Sequence, residues 1–138
     1  MYLELIQQYV PQNPWARPQP PATPEQIRQA EEKMDVTFPQ ELRELLLELN
    51  GDRYLLLSAE KIVEYNLLTR QGLSECYDGL ENLLFVAENG CGDYYCYKID
   101  CGHITDPALY RWEHEENVTV PVASGLAEMI TRYYNDEI

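Results

Sequence analysis

Few side chains in this chain have types and spacing suited to chemistry. His103 and His114 are its two histidines, and Cys76, Cys91, Cys96 and Cys101 its four cysteines. A hydrolytic triad needs a nucleophile, a base and an orienting acid in mutual contact. Ser58, Ser74 and Ser124 read as cap or loop residues, with no nucleophile-elbow pattern around them. Cys91 or Cys101 beside a histidine is the remaining route to a nucleophile, and nothing in the spacing singles it out. The last three cysteines recur every five residues, which matches no tight zinc-binding pair. Along a strand, that odd offset turns Cys96 away from Cys91 and Cys101.

The run WEHEE at 112–116 wraps one imidazole in carboxylates, but no second histidine lies at the helical spacing a zinc hydrolase requires. Alternation along a strand also separates Glu113 from His114. The run reads first as an exposed acidic turn. As a functional surface it reads as a binding edge, with Trp112 as aromatic anchor and Glu113, Glu115 and Glu116 as an acidic rim. The turn Asn89-Gly90-Cys91-Gly92-Asp93 lacks the lysine or helix N-terminus that would make it a phosphate cradle. The expectation is therefore a protein with no catalytic residue, no metal and no cofactor. Its partner-binding surface is expected at Asp93, Tyr94, Trp112, Glu113, His114, Glu115 and Glu116.

Charge narrows the partner. Twenty-four Asp and Glu face ten Lys and Arg over 138 residues, a formal charge of −14. Phosphates are repelled by such a body, which argues against nucleic acid, and a polybasic membrane contact is excluded equally. Tyr94, Tyr95 and Tyr97 lie on one predicted strand, but stacking on single-stranded nucleic acid would need a basic groove beside them. Their plainer reading is sheet packing, with a tyrosine-lined recognition surface as the alternative. The acidity is spread over every segment from residue 23 onward, so it is a field of the folded body and not of a tail. That field attracts a basic protein. No apolar run approaches the roughly 20 residues of a membrane-spanning helix, and Glu4 without an early base does not suit a secretory signal. The expected compartment is the cytoplasm.

The elements that must position these groups follow from periodicity and caps. A short helix with Leu3, Ile6 and Val10 in its stripe is followed by six prolines in residues 11–24, an extended connector on which Trp15 is expected to dock back. Thr23, Pro24 and Gln26 spell a capping box at a helix start. Leu42, Leu45, Leu46 and Leu49 give the strongest helical stripe, stopped by Gly51, and Val36 with Phe38 clasp the two helices together. Residues 54–57 read as a short strand, and Ser58 caps a third helix to about Leu68. Residues 70–82 read as a loop. Leu83–Ala87 and Asp93–Asp100 form a hairpin, Ala108–Glu113 a further strand and Val118–Ala123 an extended segment, and Ser124 caps a last helix. Strands cluster centrally and helices at the ends, which makes an α+β fold with a largely antiparallel sheet flanked by an N-terminal helix pair and a C-terminal helix. Residues 1–21 read as short helix and connector, and 22–138 as a single domain.

Three stretches together resemble the SUKH superfamily, which includes the yeast Smi/Knr cell-wall regulators and many bacterial immunity proteins. They are ATPEQIRQAEEKMDVTFPQELRELLLELNG at 22–51, LLFVAENGCGDYYCYKID at 83–100 and ALYRWEHEEN at 108–117. Their order and spacing carry the resemblance, over roughly residues 22–134. It implies a non-enzymatic domain that binds another protein, in bacteria commonly a toxin encoded beside it and often a nuclease. Joined to the charge, it implies an immunity protein that neutralises a basic toxin. The alternative is a regulatory scaffold, as in the fungal relatives, with the proline-rich RPQPP stretch and Trp15 recruiting the partner. Asp35, where the family often has Gly, and the clustered cysteines depart from the pattern.

Overall fold

In the computed structural model, which describes residues 1–73 and 75–138, the N-terminal stripe forms helix α1 (Tyr2–Gln7) and buries Tyr2 and Ile6. Ser74 lies outside the described residues. Both buried side chains sit in the same core as Leu42, Leu46, Tyr97 and Met129. The connector that follows is extended but pinned. Arg17 N donates to Asp52 O (2.7 Å) and Gln19 N to Gly51 O (3.0 Å), while Asn50 N donates back to Pro20 O (3.1 Å). No break in packing therefore falls between residues 21 and 22. Trp15 does not dock as expected: it is 69% exposed. Its neighbour Ala16 fills the buried position instead, which leaves the indole turned outward.

Helix α2 (Pro24–Met34) starts on the expected capping box, with Thr23 Oγ1 accepting from Gln26 N and Gln26 Oε1 accepting from Thr23 N. It ends on Asp35 at φ +54°, a left-handed position. Glu31 then accepts from Phe38 N (2.7 Å) and fixes the Val36–Phe38 clasp, both of whose apolar residues are buried. Helix α3 (Gln40–Glu48) buries Leu42, Leu45 and Leu46, and Leu49 follows into the core. Residues 54–57 make a single antiparallel bridge, Leu56 to Ala87, in place of the expected strand, because the backbone N–H groups of Tyr54, Leu55 and Leu56 are drawn to one carboxylate, Asp52. Helix α4 (Ala59–Gly72) is capped by Ser58 as expected and runs four residues beyond the expected end.

Strands β1 (Leu83–Glu88), β2 (Tyr94–Lys98), β3 (Leu109–Glu113) and β4 (Val118–Ala123) form an antiparallel meander in chain order. Helix α5 (Leu126–Tyr134) completes the α+β fold. Its N-cap position is Gly125, not Ser124, and no cap side chain of its own serves it. Glu41 on α3 supplies the acceptor, its Oε2 taking Leu126 N at 3.3 Å, while Ser124 hydroxyl donates to Glu128. A cap borrowed from 85 residues away carries no local signal.

Two apolar clusters cover the two faces of the sheet. Leu84, Val86, Tyr95 and Tyr97 face the helices. Leu83, Phe85, Cys96 and Trp112 pack on the other face with Leu80. The free edge of β1 is closed: Leu57 N donates to Val86 O, Glu88 N to Leu55 O, and the buried Asn66 amide both donates to Phe85 O and accepts from Phe85 N. Covering an edge this way removes a template for aggregation. Pro121 sits on β4, the opposite edge, where a missing donor is tolerated.

Two stability measurements check this packing. Ile6→Ala should cost about 2–5 kcal/mol in denaturant unfolding, as for other fully buried aliphatic side chains; a cost near zero would show that α1 is not part of the cooperative core. Asp35→Gly should stabilise by up to about 1 kcal/mol, since glycine takes the left-handed position without its penalty.

Candidate functional site

The hairpin turn and the β3–β4 turn are brought to one corner of the sheet. Asn89 organises the first: its Oδ1 accepts from Cys91 N (2.9 Å) and Asp93 N (3.3 Å). Gly90 and Gly92 take positive φ (+78° and +98°). Gly92 is required twice over, because a Cβ there would lie 2.9 Å from the His114 ring. His114 is locked onto Asp93, whose Oδ1 accepts from His114 N (3.1 Å) and lies 2.6 Å from Nδ1. Facing an ionised carboxylate, Nδ1 carries the proton. Burial alone would raise the Asp93 carboxyl, but the donors of His114 and Asn89 outweigh it and hold the group below its ordinary value.

Trp112 does not reach this surface. It is 1% exposed, so the expectation of an aromatic anchor there is corrected. The reason is the second cluster: Trp112 packs edge-on to Tyr77 (5.1 Å between centroids) and against Phe85 (5.3 Å), and its Nε1 donates to Asn117 Oδ1 (2.8 Å). Tyr94 stacks on Phe85 (4.4 Å) and is only half-buried. Tyr95 and Tyr97 are fully buried, with Tyr97 hydroxyl donating to Glu41 (2.7 Å), so these two rings pack the sheet and line no surface. Of the predicted set, Asp93, Tyr94, Glu113, His114, Glu115 and Glu116 remain accessible at the corner. Glu113 is paired with Arg111 (3.0 Å), whereas Glu115 and Glu116 project from the turn.

The cysteines stand apart. Cys96 is buried and its thiol pushed up to about 12 by burial, while Cys76, Cys91 and Cys101 are exposed. Among the described residues, no group of three or more His, Cys, Asp or Glu is arranged to hold a metal ion.

A second constellation escaped the sequence reading. Asp52, fully buried, accepts with one oxygen from Tyr54 N, Leu55 N and Leu56 N (3.0, 2.9 and 2.8 Å), and Tyr134 hydroxyl donates to the other (3.3 Å). Asn50 Oδ1 caps the start of α4 through Ala59 N (2.8 Å). Gly51 between them stands at φ +79°, and a Cβ there would meet Ser58 N at 2.8 Å and Leu56 O at 2.9 Å. The triplet Asn50-Gly51-Asp52 carried a signal only as a helix stop. Beside it opens a cleft of about 680 Å³ between the proline connector and the first turns of α4, with Glu88 at the end of β1 in its lining.

With this fold and geometry in hand, comparison with known proteins places the chain. Residues 21–132 match the model of the SMI1/KNR4 family (SUKH-1), and the chain belongs to that family. The family supports a protein-binding, immunity or regulatory role, and its members are generally not enzymes. The chain is also similar to the uncharacterized protein YnaB of Bacillus subtilis strain 168, 46% identical over 50 residues. That match covers 33% of this chain and 35% of YnaB. No described helix is long and apolar enough to cross a membrane.

Burial raises the Asp52 carboxyl above its ordinary value of 3.8, against the pull of its backbone donors. A raised carboxyl means that the folded state keeps a proton the unfolded chain has released, so this contribution to stability falls as pH rises from about 4 through the folded pKa. The advantage of wild type over Asp52→Asn, measured by denaturant unfolding from about pH 4 to 6, should shrink with rising pH. A difference that stays flat or grows would refute the assignment.

Proposed function

We propose that this protein is a non-enzymatic binding module that neutralises a basic protein, in the manner of an immunity protein against a toxin whose phosphate-binding surface is cationic, as a nuclease's must be. The observation that carries the reading is the union of family membership with the charge of −14 on a folded body. Exposed or half-exposed acids occur along the chain from Glu4 to Glu137, and Asp93, Glu113, Glu115 and Glu116 add a corner held by hydrogen bonds and an ion pair. Gly92, His114 and Asn89 hold that corner through contacts within the chain. Preorganised charge lowers the entropic cost of docking and speeds encounter.

One feature keeps the scaffold alternative in view: Trp15 is 69% exposed on a connector whose backbone is fixed by hydrogen bonds. An exposed indole on a rigid segment suits a partner-binding hot spot.

The test uses the product of the gene adjacent to this one. Its affinity, measured at about 0.05 and 0.5 M salt, should weaken at least about tenfold at the higher value. The double variant Glu115→Lys, Glu116→Lys should lower the association rate by about tenfold at low salt with unfolding stability unchanged. Salt-indifferent binding, or binding lost in Trp15→Ala and kept in the double variant, would replace this reading with the scaffold one.

A further inference from the structure

The cleft beside Asn50-Gly51-Asp52 holds an uncommitted charge. Glu60 on its wall is fully engaged, with Oε1 accepting from Gln26 (3.0 Å) and Oε2 from Asn50 (3.0 Å). Glu88 is different. It is half-buried in the cleft lining, and among the described residues its carboxylate makes no side-chain hydrogen bond or ion pair. Burial and the neighbouring Asp52 charge raise its carboxyl, and Lys61 opposes them. Two tyrosine rings, Tyr54 and Tyr65, share the lining. The wall already accommodates a cation: Lys61 Nζ sits 5.3 Å from the Tyr65 ring centroid. That ammonium is exposed and paired with Glu64 (2.9 Å), and Arg53 is exposed in the same lining.

We propose that this cleft is a specific pocket for an arginine side chain of the basic partner, with Glu88 as its ionic partner and the Tyr54 and Tyr65 rings as its walls. The inference rests on the proposed function for the class of partner and adds where that partner is gripped. A guanidinium fits each element. It donates two parallel N–H bonds to one carboxylate, its flat faces stack on phenol rings, and it is weakly hydrated enough to enter a half-buried site. A carboxylate with no internal donor loses hydration without compensation until such a group arrives. Lys61 and Arg53 then act as competitors that keep the pocket weak for any single free cation, so that occupancy depends on the rest of the interface.

The probe is the blocked tripeptide N-acetyl-Gly-Arg-Gly-amide, titrated into the full-length protein and followed through backbone amide shifts. Citrulline and glutamate analogues serve as neutral and acidic controls. The arginine peptide should shift the amides of Tyr54, Lys61, Tyr65 and Glu88, and the controls should not. Glu88→Gln should weaken the peptide by about tenfold or more with the remaining spectrum unchanged. Lys61→Gln, a change on an exposed side chain, should tighten it severalfold. Equal binding of citrulline, shifts caused by the glutamate peptide, or an unmoved affinity in Lys61→Gln would each overturn the pocket, whether or not the Glu88 variant folds. If the adjacent gene's product binds with steep salt dependence but ignores Glu88→Gln, the pocket fails and the proposed function stands. If the arginine peptide binds as described while that product does not, the pocket stands and the reading of the partner fails.

Discussion

A single buried carboxylate holds the parts of this fold in register. Asp52 gathers three successive backbone N–H groups, and its own backbone oxygen receives the N-terminal connector through Arg17 N. The turn it makes aims Leu55 and Leu57 at the edge of β1 and leaves Asn50 free to start α4. Tyr134 reaches it from α5, so both ends of the chain meet the same residue. Burying a charge is costly unless hydrogen bonds replace its water, and here several donors offset that cost in part while burial still raises the carboxyl. Gly51 is the condition for all of this: the left-handed turn and backbone atoms within 3 Å of where a Cβ would stand leave no room for another residue.

The same economy governs the far corner. Asp93 and His114 tie two turns that are 21 residues apart in sequence, and Asn117 and Trp112 tie the second of those turns to the small cluster beneath it. The aromatic residues that looked available for recognition are the floor on which the corner rests. Its outward chemistry is carboxylate. The corner and the cleft meet at the same end of β1, where Glu88 in the cleft lining directly precedes Asn89 of the hairpin turn.

Much of the architecture was legible in sequence because it is written locally. The Thr23-Pro24-Gln26 cap, the leucine stripe of α3 and the glycine-rich turn that joins β1 to β2 each depend on neighbours within a few residues, and each appeared where its pattern placed it. The net charge of −14 is likewise a property of composition alone. Family membership was legible in the order of three segments, none of them specific alone.

What sequence could not decide was which way amphipathic residues would turn and which distant groups would meet. Trp15 and Trp112 exchanged their expected roles, the first exposed and the second buried, because an indole's burial is set by the neighbours that compete for the same space. Ser124 looked like a cap until Glu41 supplied the acceptor from another helix. In sequence Asp52 is one acid among twenty-four, since nothing near it announces Tyr134 or the connector. Local patterns determine elements and net charge because hydrogen bonds within a turn and summed charge need no long-range partner. Burial, carboxylate commitment and the cleft beside Glu88 belong to tertiary structure alone, because each is defined by atoms that only folding brings within a few ångströms.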